Sequence, residues 1–169
     1  YGGVDTDRLI GSLTILQTPI GEKRIGISSK GISPLHSLIT ARQEMFDNVY
    51  WHHTNRACMV MLLRAVQEGL LSGALSPGEL TDHDDATLMA LLDREGMPEA
   101  TRTLIRALRD RRIHKRALEV SARAFELYAR LGNLYFDPQA RRAVETRLAA
   151  NLGAALGVEI APEAILIDI

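Results

Sequence analysis

The stretch PLHSLITARQEMFDNVYWHHTNRACMVMLLRAVQEGLL, residues 34–71, has no proline after Pro34 and no glycine before Gly69. Such a stretch predicts one long helix, or two nearly coaxial ones, reaching about 57 Å at 1.5 Å per residue. Its start fits Ser33 as a helix cap and Pro34 as the first helical residue. At 100° per residue, apolar side chains form a stripe along one helix face. The stripe comprises Leu35, Leu38, Ile39, Phe46, Val49, Ala57 and Val60.

Two side chains interrupt this apolar stripe, Arg42 and His53. Arginine is rarely buried without a partner. One interpretation is that the Arg42 stem packs on the stripe while its guanidinium reaches water or an internal carboxylate. The other is that Arg42 binds phosphate. Tyr50 follows about 12 Å along the helix axis, comparable with the reach from a triphosphate to its sugar or base, although a tyrosine at a stripe edge is also common in a core.

The flanking sequence predicts a predominantly helical α+β protein. A short helix capped by Asp5 or Thr6 precedes a small hairpin, Leu13 to Leu16 with Arg24 to Ser28. Pro77 and Gly78 mark a loop after the long helix, and further helices follow, the last running from Pro138 to Gly153 or Gly157. Strands are expected after residue 109 and in the closing AILIDI, residues 164–169. We expect a helical and hairpin segment over 1–75 and a smaller C-terminal α/β lobe over 76–169, or one continuous domain.

Composition excludes several classes of protein. The 169 residues are 46% hydrophobic and carry a net charge of −1, so the chain as a whole is not a polycation for nucleic acid. The single cysteine, Cys58, allows no internal disulfide and no multi-cysteine zinc site, and core packing is its expected role. Without an apolar run of about 20 residues, we expect a cytoplasmic protein without membrane association. Because the sequence starts at Tyr1, we interpret it as a piece of a longer protein.

Residues 102–116 form the strongly basic segment of the chain. We expect a solvated helix face there, with an effector triphosphate or nucleic acid as alternative ligands. The segment contains no aromatic side chain for base stacking, which argues against single-strand binding. Its basic residues, against the single acid Asp110, are Arg102, Arg106, Arg109, Arg111, Arg112, Lys115 and Arg116.

One adjacent His-Asp pair, His83 and Asp84, could be taken for metal ligands. It follows a Pro-Gly loop and precedes ATLMALL, so we interpret the aspartates here as a helix N-terminal cap. His52 and His53 diverge by about 100° on a helix and cannot jointly hold a metal ion. Phosphate-binding and nucleophile motifs of the P-loop, dinucleotide and hydrolase types are absent from the sequence.

The segment ARQEMFDNVYWHH, residues 41–53, resembles the helix signature A-R-x-x-M-(F/Y)-x-x-V-Y-x-H of HD-domain phosphohydrolases of the deoxynucleoside triphosphate triphosphohydrolase type, dGTPase-like enzymes. VDTDRLIGSL resembles the segment after the last metal-binding aspartate of that family, LRDRRIHKR its R-x-L-(Y/F)-K stretch, and ILIDI its closing strand. Ile113 and His114 depart from the commonest form of the third motif. The chain thus resembles the C-terminal portion of such an enzyme.

This resemblance implies roles for particular residues. Arg42 would contact substrate phosphate, and Tyr50 would lie against the deoxyribose or base. In regulated members, an effector nucleotide binds between subunits, which implies a homo-oligomer. The positions that match that effector site here are Arg8, His53, Arg111 and Lys115.

The resemblance also implies what this chain lacks. The family holds one or two divalent ions, such as magnesium or manganese, with a histidine, a His-Asp pair and a distant aspartate. We expect no catalytic residue, metal ligand or cofactor within this fragment, no activity of the fragment alone, and metal-dependent nucleotide hydrolysis by the parent protein.

The alternative is a non-enzymatic helical interaction module that binds a protein partner or nucleic acid through its arginine-rich segment. If the chain is instead part of a phosphohydrolase, we expect no nucleic-acid partner. The sequence leaves open the substrate, effector regulation, the oligomeric state and whether the HD core of the parent is intact.

Overall fold

The computed structural model describes residues 3–121 and 123–169. They divide into two compact units, one ending at His52 and one beginning at His53. The fold is predominantly helical with one small antiparallel hairpin, which confirms the predicted α+β class. The domain division predicted after residue 75 stays a prediction. No helix within the described ranges has both the length and the hydropathy needed to span a bilayer.

The first unit begins with a capped helix and a hairpin, as predicted. Asp5 accepts a hydrogen bond from the Arg8 backbone amide at 2.9 Å and so caps the first helix. The strands pair antiparallel, with Leu13 opposite Ile27, and Gly21 adopts a φ of +84° in the connecting turn. The elements are α1 (Thr6–Ile10), β1 (Leu13–Gln17), β2 (Lys23–Ile27) and α2 (Ile32–Met45).

The predicted long helix is interrupted. Helix α2 begins at Ile32, earlier than predicted, and Pro34 is accommodated in its first turn because the amide there needs no helical acceptor. The helix continues into a π-helical turn, Phe46–Tyr50, and α3 begins only at His53. The Asn48 side chain donates a hydrogen bond to the Glu44 carbonyl at 2.9 Å, the acceptor that an α-helix would use for the Asn48 amide. Neither proline nor glycine marks this interruption, so sequence periodicity did not reveal it.

The second unit contains a buried apolar core between α3 and α5. The Thr101 hydroxyl donates to the Ala65 carbonyl at 3.0 Å and links these two helices. The helices are α3 (His53–Leu71), α4 (Asp85–Leu92), α5 (Glu99–Arg109), α6 (Phe125–Gly132) and α7 (Pro138–Leu156). The buried cluster comprises Met61, Ala65, Leu75, Leu92, Met97, Leu104, Ile105 and Ala107.

The strands predicted for the C-terminal lobe are wrong. Residues 113–121 are irregular, and residues 165–169 pair with no strand among the described residues. Instead, the Ile167 amide donates to the Glu145 carboxylate on α7 at 2.8 Å. An apolar run satisfies its backbone in a sheet only when another strand is available, and here a helix side chain takes that place. Gly157, with φ +69°, ends α7 as predicted.

Candidate functional site

Three side chains spaced four residues apart lie in a row at the end of α2. The Arg42 guanidinium carbon is 5.3 Å from the centroid of the Phe46 ring. The Phe46 and Tyr50 rings meet edge to face, with centroids 5.1 Å apart and planes at 68°. A cation over a ring face and an edge-to-face ring pair are both favourable contacts. The structure therefore brings the two predicted substrate contacts, Arg42 and Tyr50, against the same aromatic ring, Phe46.

These side chains border a surface groove of about 670 Å³, which we call the Arg42 groove. Its volume falls within the range of roughly 300–1,000 Å³ typical of small-molecule sites. Its lining includes a cation, Arg42, and an aromatic ring with a hydroxyl, Tyr50. The lining comprises Leu38, Ala41, Arg42, Met45, Phe46 and Tyr50.

Arg42 is exposed, although its position lies within the apolar stripe. Its neighbours in the stripe, Leu38 and Ile39, are also exposed, with 42% and 59% of their surfaces accessible. Arg42 makes no ion pair with any residue that the structure describes, whereas Arg24 in the same unit pairs with Glu22 at 2.9 Å. The Arg42 charge is thus available to an anion without breaking a salt bridge. Its assignment to substrate stays a prediction.

Phe46 belongs to this site, although the sequence analysis placed it only in the apolar stripe. Its position four residues from both Arg42 and Tyr50 was the available signal, because such residues share a helix face. The π-helical turn that holds Phe46 and Tyr50 closes with a hydrogen bond from the Trp51 amide to the Phe46 carbonyl at 2.9 Å. Isolated π turns occur frequently at functional sites.

The predicted effector residues are divided between the two units. Arg8 is exposed on α1 of the first unit. His53 is the first residue of α3, and Arg111 and Lys115 follow α5 as exposed residues of the second unit. Arg111 adopts a φ of +57°, which is uncommon for a residue with a side chain. The effector assignment stays a prediction.

Much of the basic segment is neutralised within the chain. The Asp93 carboxylate accepts from Arg106 and from Arg109, each at 2.9 Å, and Arg102 lies 4.0 Å away. Desolvation alone would raise the pKa of Asp93, but the hydrogen bond and charge of Arg106, joined by Arg109, outweigh it and lower that pKa. Asp93 therefore pairs with cations of α5 that the sequence analysis expected on a solvated helix face.

Comparisons with known proteins identify the family of this chain. The family described as "HD associated region" matches residues 4–169. The chain belongs to this family. It is also 36% identical over 92 residues to the uncharacterized protein MJ1154 of Methanocaldococcus jannaschii, an alignment that covers 54% of this chain and 20% of that protein. No solved structure matches the chain. Association with HD-domain proteins is thus shown.

Within this HD-associated region, the aspartate of the His83-Asp84 pair caps helix α4, as predicted for the aspartates of this segment. Asp84 accepts a hydrogen bond from the Thr87 amide at 2.8 Å, while its own amide donates to the Thr87 hydroxyl at 3.0 Å. Across residues 3–121 and 123–169, no three His, Cys, Asp or Glu side chains come together as a candidate metal site.

The HD-associated region also contains a buried ion-pair network that the sequence analysis missed. Arg64 on α3 pairs with Glu68 at 3.4 Å and with Glu145 on α7. Glu68 pairs in turn with Arg142 at 3.0 Å. The four-residue spacing of Arg64 and Glu68 was the only local signal, because their α7 partners lie far along the chain.

Proposed function

We propose that this chain is the substrate-holding, C-terminal region of a cytoplasmic, metal-dependent nucleotide phosphohydrolase of the deoxynucleoside triphosphate triphosphohydrolase type. The observation that carries the proposal is the Arg42 groove, where a guanidinium that pairs with no described carboxylate lies over the Phe46 ring, which in turn contacts the Tyr50 ring. Membership of the HD-associated family supplies the link to an HD-domain parent.

In the proposed role, Arg42 binds phosphate and Tyr50 binds the sugar or base. The guanidinium fork can donate two parallel hydrogen bonds to phosphate oxygens. Phe46, lying under that guanidinium, restricts its orientation, so less side-chain entropy is lost when phosphate binds. The Tyr50 ring offers an apolar face and a hydroxyl in the same groove.

The divalent metal of the proposed parent is assigned outside this chain. The described residues bring together no three metal-ligating side chains, so they do not fit such an ion and we derive no step through it. Positioning the nucleotide is the contribution of this chain. We expect purified residues 1–169 to hydrolyse no deoxynucleoside triphosphate with added magnesium or manganese.

We further propose that Arg8, His53, Arg111 and Lys115 contact an effector nucleotide in a homo-oligomer of the parent. Arg111 and Lys115 support this assignment, because neither makes an ion pair with a described residue while Arg116 pairs with Glu119 at 2.7 Å. Replacing both residues by alanine should abolish effector stimulation while leaving the unstimulated rate unchanged.

The decisive experiment is Arg42→Gln in the intact parent, assayed for deoxynucleoside triphosphate hydrolysis. A charge-assisted hydrogen bond contributes about 1.5–3 kcal/mol, so kcat/KM should fall about 10- to 100-fold. Arg24→Gln is the matched control, since it removes an exposed arginine of the same unit that already pairs with Glu22. Turnover of Arg42→Gln equal to that of Arg24→Gln would refute the role of Arg42.

The competing proposal is an interaction module that binds nucleic acid through Arg111 and Lys115. It predicts oligonucleotide binding that weakens steeply with salt and disappears in Arg111→Ala/Lys115→Ala. The phosphohydrolase proposal predicts triphosphate binding that depends on Arg42. One set of titrations with both ligands against both variants separates the two.

A further inference from the structure

A second cavity, of about 240 Å³, lies within the second unit between α3, α7 and the closing residues 167–169. We call it the α3–α7 cavity. Its lining includes the apolar residues Met59, Val60 and Leu63 of α3 and the basic residues Arg64 and Arg141. None of the residues that form the Arg42 groove contributes to it.

The carboxylates around this cavity are already occupied. Glu145, with 2% of its surface accessible, pairs with Arg64 and also accepts the Ile167 amide hydrogen bond. Asp168 receives hydrogen bonds from Arg56, one of them from Nε at 2.8 Å. Neither carboxylate forms an ion pair with Arg141.

Arg141 is the exception in this network. It has 7% of its surface accessible, and its hydrogen-bond partner among the described residues is the side-chain oxygen of Gln67 at 3.3 Å. A guanidinium has five N–H donors and no acceptor. An amide oxygen offers partial charge only, so Arg141 is buried without an ion pair to any side chain that the structure describes, an arrangement that is costly.

The side chains around the cavity leave an excess of one positive charge. Ion pairs join the cations Arg64 and Arg142 to the anions Glu68 and Glu145, and the Arg56–Asp168 pair is also neutral, whereas Arg141 adds a positive charge outside these pairs. Burial lowers the pKa of Arg64; Glu68 opposes this, while the charges of Arg141 and Arg142 lower it further. An anion bound in the cavity would therefore offset this excess positive charge.

We propose that the α3–α7 cavity binds a small organic anion whose carboxylate or phosphate group pairs with Arg141 and whose apolar part lies against Met59, Val60 and Leu63. The planar guanidinium fork matches two oxygens of either group. The cavity is slightly smaller than the roughly 300 Å³ at which typical ligand sites begin, so the ligand has about the size of one substituted ring or a short chain. This site is separate from the proposed nucleotide contacts.

The test is calorimetric titration of the purified protein at fixed ionic strength with sodium benzoate, phenyl phosphate and benzamide. Benzoate and phenyl phosphate differ in their anionic group, and their comparison identifies which group the site prefers. Benzamide has the shape of benzoate without its charge. We expect saturable binding of at least one anion and at least tenfold weaker binding of benzamide. Each titration is repeated in an Arg42→Gln background, where the Arg42 groove no longer supplies a cation.

Arg141→Gln should weaken anion binding at least tenfold, because it removes the charge and keeps a polar group of related shape. Arg147→Gln is the matched control, as it makes the same change at an exposed position of α7. Met59→Trp provides a second variant that fills the cavity from its half-exposed side and leaves the buried charges in place. It should abolish binding even if Arg141→Gln fails to fold.

The proposal is overturned if neither anion saturates the wild-type protein, or if benzamide binds as tightly as benzoate. Unchanged anion affinity in Met59→Trp, or in folded Arg141→Gln, would equally exclude this cavity as the site. None of these outcomes bears on Arg42, whose role is tested by hydrolysis in the parent.

Discussion

The two units of the chain bury apolar surface very differently. The second unit encloses an apolar cluster around Leu104 and Ile105, both essentially inaccessible. In the first unit the buried residues, among those described, are Ser12, Gly31 and Pro34, while Ile25 of the hairpin keeps 84% of its surface accessible. The second unit therefore contains its own source of hydrophobic stability, and the first presents apolar surface that other parts of a protein can cover.

The same contrast is visible in two arginines on successive helices. Arg64 in the second unit has 4% of its surface accessible and pairs with two carboxylates. Arg42 in the first unit is exposed and lies over an aromatic ring without an ion pair among the described residues. A buried guanidinium that is paired with carboxylates contributes to the fold. An exposed guanidinium whose orientation is restricted can bind an external anion.

The largest effect is expected for Glu145→Gln in the second unit. The change leaves Arg64 with Glu68 as its remaining carboxylate in a buried site. Breaking a buried pair from one side costs about 3–5 kcal/mol, which urea unfolding would measure as a loss of unfolding free energy. Glu159→Gln, at an exposed position, is the control and should change stability by less than about 0.5 kcal/mol. Similar losses in both variants would contradict the network.

Leu104→Ala should have a similar but somewhat smaller effect. It removes a fully buried side chain from the second unit's core, which costs about 2–5 kcal/mol including the cavity left behind. Ile39→Ala, at a largely exposed position of the first unit, should cost well under half as much. Equal costs in thermal or urea unfolding of the two variants would show that the first unit also holds a core.

The sequence was sufficient for elements whose signals are local. Asp5 and Asp84 are caps, Gly157 ends α7, and the hairpin follows from β-branched segments around a glycine turn; each depends on residues a few positions apart. The π-helical turn at Phe46–Tyr50 depends on competition between the Asn48 amide group and the backbone for one carbonyl. Hydrophobic periodicity contains no information about that competition.

The sites were predictable to different degrees. Arg42 and Tyr50 could be paired from the sequence because they lie eight residues apart in one predicted helix, and Phe46 lies at the four-residue spacing between them; their role in binding substrate stays a prediction. The contacts of Arg64 with Glu145, and of Arg141 with Gln67, join α3 to α7 across more than 70 residues of sequence. A single sequence gives no distance between such positions, so a buried charge network of this kind becomes visible only in three dimensions.

A moderate effect with a distinct pH dependence is expected for Asp93→Asn. The variant loses pairing with the half-exposed Arg106 and Arg109, worth about 1 kcal/mol in total for partly exposed ion pairs. Because folding lowers the pKa of Asp93, its contribution is fully present above the unfolded-state pKa of about 3.9 and is lost as pH falls through the lower folded-state value. The stability difference between wild type and Asp93→Asn should therefore be constant from pH 7 to about 5 and shrink in stronger acid. A constant difference down to pH 2 would assign the effect to something other than the carboxylate charge.

The smallest effect is expected for Ile25→Thr in the exposed hairpin, and it sharpens the contrast between the units most directly. Threonine keeps the β-branched shape that suits a strand, so in this chain the change should cost less than about 0.5 kcal/mol. If the parent protein covers this face, the same substitution there should cost about 1–2 kcal/mol, because apolar area is then lost from an interior.

Ile20→Thr, in the exposed hairpin turn, is the companion variant. Melting temperatures of both variants, measured in this chain and in the parent, test whether the parent covers the hairpin. An equally small change in the two contexts would mean that the hairpin faces water even in the complete protein.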